Sequence, residues 1–249
     1  MDINLLETFL EAPLPVQLVV IVLTLQALGS LIVTIDRVIM LLRAGGASRE
    51  FARKATPLMQ RGDWRGLNEE AKKATGSHLA HLMGAALTTF VDRKDAGDDD
   101  ERAAELARRS VERRGETLSN TLNRGLNILA STGSTAPFVG LLGTVLGILF
   151  AFKQIEATGA GGIATIGGAI GEALIVTGYG LVVAIPTVLL YNWLSGWIAK
   201  YETGLTNAAS ELTDLMEVGV APGMAASVLD PPEGGEVADE AAEPAAAGA

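Results

Sequence analysis

The sequence predicts an all-α membrane protein, with three transmembrane helices and long helices extending into a cytoplasmic helical domain. Three observations lead there. Apolar residues make up 49% of the 249 positions and charged residues only 19%, too greasy for an ordinary soluble domain. The apolar residues are gathered into three runs, at Val16–Ile35, Ala136–Phe152 and Ala173–Ile198. Sixteen of the nineteen Lys and Arg residues lie between Arg43 and Arg124.

Taken in order, residues 1–15 carry Asp2, Glu7 and Glu11 but no basic residue, and are expected outside, in the periplasm. The run that follows is too long for a signal-peptide core and lacks a small-x-small cleavage site, so an uncleaved transmembrane helix is expected at 16–42. Arg43, Arg49, Arg53 and Lys54 crowd its exit, and Arg113, Arg114 and Arg124 precede the second run. The positive-inside rule therefore places 43–130 in the cytoplasm. Ala, Leu, Arg and Glu dominate 101–130 without proline, which reads as helix, with Leu106, Ser110, Arg113 and Thr117 on one face and Arg108–Glu112 a turn apart. Asp98, Asp99, Asp100 and Glu101 supply negative charge for that helix's N-terminus. A shorter helix is expected over 64–91, divided from the next by the polar tract 92–100. The helices flanking spans one and two are expected to continue out of the membrane.

The second span is placed at 131–155, an outside loop at 156–170, and the third span at 171–199. Trp193, Trp197, Tyr191 and Tyr201 form an aromatic belt at its cytoplasmic boundary. Pro186 lies inside that span, where a helix kink is expected. A cytoplasmic helix is expected at 200–218. Residues 219–249 are almost free of large apolar side chains and read as a disordered acidic tail.

Several function classes are excluded or disfavoured. The net charge of −10 argues against nucleic acid binding, and the absence of cysteine removes thiol chemistry and disulfides. No Walker-type loop, GxSxG elbow or HExxH pair occurs. His78 and His81 are close enough on a helix to share a metal, but no further ligand motif completes a site. No cofactor, metal or enzymatic activity is expected, and the lack of inverted repeats disfavours an independent small-solute transporter.

What remains is a set of polar groups within apolar runs. Glu172 stands at the edge of the third run, either as a functional carboxylate or as an interfacial side chain. Gly140, Thr144, Gly147 and Ala151 share one helical face, as do Ala173, Thr177, Gly180, Ala184 and Thr187. Such seams either pack helices closely, with threonines bonded back to their own backbone, or face a pore or rotor, where hydroxyls hold water.

The stretches APFVGLLGTVLGILFAF (136–152) and GEALIVTGYGLVVAIPTVLLYN (171–192) resemble the MotA/TolQ/ExbB proton channel family, most closely its TolQ/ExbB branch. They carry G-L-x-G-T-V-x-G-I and E-A-L-x-x-T-x-x-G-L-x-x-A-I-P in full. Leu146, Gly178 and Tyr179 depart from the residues usual there, and the acidic tail is atypical. The resemblance implies an inner-membrane homopentamer around a TolR/ExbD-like single-span partner bearing a membrane aspartate. It implies an ion pathway through Thr144, Thr177 and Glu172, with Gly140, Gly147, Ala173, Gly180 and Ala184 as a pore-facing small seam. The implied function is a proton-conducting motor subunit serving envelope transport, a Tol-type role or gliding motility. The alternative is a non-conducting ring scaffold around the partner helices.

Overall fold

The computed structural model describes residues 12–158 and 163–218. The expectations for most of the N-terminal segment, for part of the outside loop and for the acidic tail fall outside these residues. The described residues form six helices: α1 (Leu14–Gln60), α2 (Trp64–Lys73), α3 (His78–Asp95), α4 (Asp100–Leu122), α5 (Leu126–Thr158) and α6 (Ile163–Val218). The chain is all-α, and α1, α5 and α6 each contain a stretch long and apolar enough to cross a membrane, with mean hydropathies of 2.5, 2.0 and 2.2.

Helix ends differ from the sequence boundaries at several places. Helices α5 and α6 run into the expected loop 156–170, leaving only 159–162 between them. The expected helix 200–218 is the uninterrupted continuation of α6, which also runs through Pro186. Proline removes one ladder hydrogen bond without ending the helix. The expected helix 64–91 is two helices, because Ser77 caps a new start by accepting a hydrogen bond from the Ala80 N–H at 3.0 Å. The expected continuous helix 101–130 breaks at 123–125, where Gly125 takes φ +85°, a left-handed conformation that a side chain disfavours. Arg37 supports that break: its guanidinium donates to the Thr121 carbonyl at 2.7 Å, near the end of α4 where carbonyls lack helical partners.

The residues divide into two compact units, one of Met1–Leu42 with Thr117–Glu202, the other of Arg43–Glu116 with Thr203–Ala249. In the first, α5 runs antiparallel to both α1 and α6. Gly143 lies against Val19 and Gly147 near Val16, while Gly29 lies against Ile128. On the other side Gly133 meets Val188 and Gly147 meets Ala173. Val16, Val19, Leu23, Ala136, Val176, Val183 and Ala184 form one buried cluster, and Leu41, Leu122, Leu126, Leu194 and Ile198 form another. The outer surface is apolar as well: Leu18, Leu25, Ile32, Phe138, Val145, Val182 and Leu189 are all exposed. That distribution is unsuited to water and suited to lipid.

The second unit is a helical domain with its own buried core. Phe51, Met59, Leu67, Leu82, Met83, Leu87 and Leu212 are fully buried. Trp64 meets Phe90 edge to face, with ring centroids 6.2 Å apart. The expected Arg108–Glu112 pair is replaced: Arg108 donates to Asp214 at 2.6 Å and lies 3.3 Å from Glu217, tying α4 to α6. Arg109 instead takes the turn-to-turn partner, Glu105.

His78 is half-buried. Burial, and secondarily the nearby His81, hold its imidazole below the ordinary value of 6.5. The unfolded chain therefore takes up a proton first as pH falls. The associated stability is whole above about pH 6.5 and is lost as pH descends from there toward the lowered folded value. Thermal melts of the purified protein between pH 7.5 and 5 are expected to show a falling midpoint below about pH 6.5. His78→Gln is expected to flatten that slope.

Candidate ion-pathway site

The site is made by the closeness of α5 and α6. A methyl group on Gly180 would stand 2.7 Å from the Ala136 carbonyl oxygen and 3.1 Å from the Gly140 Cα. A methyl group on Gly140 would stand 3.2 Å from the Cα atoms of both Thr177 and Gly180. The two backbones thus touch directly, as small residues on facing helices allow.

The small residues of the expected pore-facing seam lie at this contact within the chain. Gly140, Ala173, Gly180 and Ala184 are buried and Gly147 half-buried. Gly140 and Gly180 meet each other, Gly147 meets Ala173, and Ala184 lies in the buried cluster with Ala136 and Val183. The physical reason is that a face without side-chain bulk gains most dispersion contact when another backbone fills it.

That closeness brings two of the three sequence-predicted pathway residues together. Thr177 donates its hydroxyl hydrogen across the helix boundary to the Gly140 carbonyl at 3.0 Å. Thr144, only 6% exposed, donates to the Leu141 carbonyl of its own helix at 2.7 Å. The two hydroxyl oxygens lie 3.5 Å apart. Both hydrogens are committed to backbone, so the pair offers lone pairs. It can accept from a water or a hydronium, or coordinate a bare cation, but has no spare O–H to give. Glu172 is not part of this pair. It is exposed, and its five-residue separation from Thr177 puts it about 7.5 Å away along the helix axis.

The sequence reading missed two further polar contacts. Thr24 on α1 and Tyr179 on α6 place their hydroxyl oxygens 3.0 Å apart. Gln26 donates to the Thr135 hydroxyl at 3.2 Å, and its own carbonyl oxygen is buried without a partner among the described residues. The signal was present as polar letters in apolar runs, Thr24 and Gln26 in the first and Tyr179 in the third. Pairing them required knowing how α1 faces α5 and α6.

A multi-span α-helical membrane protein with a hydroxyl pair between two closely packed spans is the class these features define. Residues 74–207 match the MotA/TolQ/ExbB proton channel family, and the chain belongs to it. Among curated relatives, the biopolymer transport protein ExbB of Xanthomonas campestris pv. campestris is 51% identical over 89 residues, covering 34% of this chain and 35% of the relative. The ExbB of Neisseria gonorrhoeae is 38% identical over 152 residues, 58% of this chain and 69% of that protein. The ExbB of Salmonella typhimurium is 34% identical over 158 residues, 62% of this chain and 64% of that protein. The match thus spans only about a third of the Xanthomonas relative.

Gly180→Ala is expected to force the α5–α6 backbones apart, at a cost of about 1–3 kcal/mol. Gly178, whose added methyl would meet nothing within 4 Å, serves as the control and is expected to tolerate Ala without loss. Thermal unfolding of the two detergent-solubilised variants checks both.

Proposed function

We propose that this chain is the proton-conducting subunit of an inner-membrane motor of the TolQ/ExbB kind. It would convert the proton motive force into movement of a TolR/ExbD-like single-span partner bearing a membrane aspartate. The chain would act as a homopentamer, with its N-terminus periplasmic and its C-terminus cytoplasmic. The work driven would be envelope transport, a Tol-type role or gliding motility. The observation that carries this reading is the Thr144–Thr177 hydroxyl pair, held inside the segment that matches the family. The clustering of basic residues between Arg43 and Arg124 supports the orientation.

In this reading a hydronium donates hydrogen bonds to oxygens whose own hydrogens are fixed elsewhere; its proton stays on water until the partner's carboxylate takes it. Glu172, exposed near the start of the apolar stretch of α6, would gather the cation before it reaches the threonines. Each charge crossing is worth about 2.3 kcal/mol per 100 mV, the energy available to the partner's movement.

One observation favours the scaffold alternative. Both threonine hydrogens are bonded to backbone, as in threonines that only pack helices. Reconstitution separates the two readings. The chain is co-purified with a single-span partner, placed in liposomes, and its proton flux is measured under an imposed potential. Thr177→Val and Glu172→Gln are expected to leave assembly intact. Thr177→Val is expected to lower flux roughly ten- to hundredfold, the consequence of losing one interaction with a charged species of about 1.5–3 kcal/mol. Wild-type flux in both variants would remove Thr177 and Glu172 from the pathway, and an assembled wild-type complex without flux would establish the scaffold instead.

A further inference from the structure

Helix α6 is held from two sides by hydroxyl groups. Thr177 reaches α5 through the Gly140 carbonyl, and Tyr179 reaches α1 through Thr24. Two residues on a helix are separated by about 200° of rotation, so these contacts leave α6 in nearly opposite directions. The direction of the second bond is fixed by its chemistry. Thr24 already donates its only hydroxyl hydrogen to the Val20 carbonyl at 2.8 Å. Tyr179 must therefore be the donor and Thr24 the acceptor. The Tyr179 ring, half-buried, packs against the cluster containing Val16, Val19 and Leu23.

Around the threonines the α5–α6 contact is close but carries little directional bonding. Gly140, Gly180, Gly147 and Ala173 present backbone and methyl surface, and the α6 side chains that enter α5 beside them, Val176 at Gly143 and Val188 at Gly133, make apolar, non-directional contacts. The O–H···O bond from Tyr179 to α1 adds the direction that these apolar contacts lack.

We propose that the Tyr179–Thr24 pair is a rotational clamp on α6 that fixes where the Thr177 hydroxyl points, making Tyr179 and Thr24 positioning residues for the ion-transfer step. This rests on the proton-conducting reading for its consequence, but not for its geometry. Removing the Tyr179 hydroxyl strands no donor, since the Thr24 hydrogen stays on Val20. Tyr179→Phe should therefore fold and assemble.

The cysteine-free chain makes a direct test available. A methyl group on Gly147 would lie 3.0 Å from the Ala173 Cβ, near the roughly 3.5–4.5 Å Cβ separation of a disulfide. In the full chain assembled with its partner, the Gly147→Cys/Ala173→Cys pair reports α6 rotation as an oxidative crosslinking rate. Proton flux is measured separately without the cysteines. Tyr179→Phe and Thr24→Val are each expected to slow crosslinking several-fold and to lower flux at unchanged oligomer mass. The double variant is expected to match either single one, and Thr24→Ser, which keeps the acceptor, to match wild type. Wild-type crosslinking in Tyr179→Phe overturns the clamp whatever the flux. Absent flux in the wild-type assembly overturns the conduction reading instead, while the crosslinking rates still decide the clamp.

Discussion

The direct contact of two backbones at Gly140 and Gly180 is the constraint from which the membrane unit follows. In lipid, burying apolar surface between helices gains little over leaving it against acyl chains, so association rests on close packing and on polar contacts. Only residues without side-chain bulk permit this approach. Because α5 and α6 are this near, a hydroxyl on one reaches a main-chain carbonyl of the other. The Thr144 and Thr177 oxygens then fall within 3.5 Å, and the antiparallel alignment of the two helices is set along the whole seam. A larger residue at either glycine would remove these consequences together.

Polar groups inside the apolar helices obey a second rule. Ser30, Thr34, Thr135 and Thr187 each donate to a carbonyl one turn back, so their hydroxyls add no unsatisfied donor to the bilayer. Against that background, bonds that leave a helix stand out. Thr177 to Gly140, Thr24 with Tyr179, and Gln26 to Thr135 join α1, α5 and α6 to one another. Each is a directional contact between helices, of a kind the glycine, alanine and valine surfaces do not make.

Much of this was legible in the chain itself. The three apolar runs announced the spans, because only a fully hydrogen-bonded helix crosses lipid. Asp99 behaves as the acidic tract suggested, accepting from the Arg102 N–H at 2.8 Å just ahead of α4. The helix breaks were less visible. Ser77 and Gly125 are single residues whose role depends on neighbours far away: Ser77 also bonds Ser48, and the space beside Gly125 is filled by Val33. Arg108 shows the same limit, since a charge free to choose among Glu112, Asp214 and Glu217 settles on partners more than a hundred residues distant.

The sequence by itself determined the fold class, the number of candidate spans and the family, because hydropathy and motif spacing are properties of consecutive residues. Only the tertiary structure decided that the small seam faces a neighbouring helix of the same chain, that Glu172 stands apart from the threonine pair, and that Tyr179 answers Thr24. Those facts depend on the rotation and register of helices about one another, which a periodic pattern of small residues allows in several ways and which only their mutual packing selects.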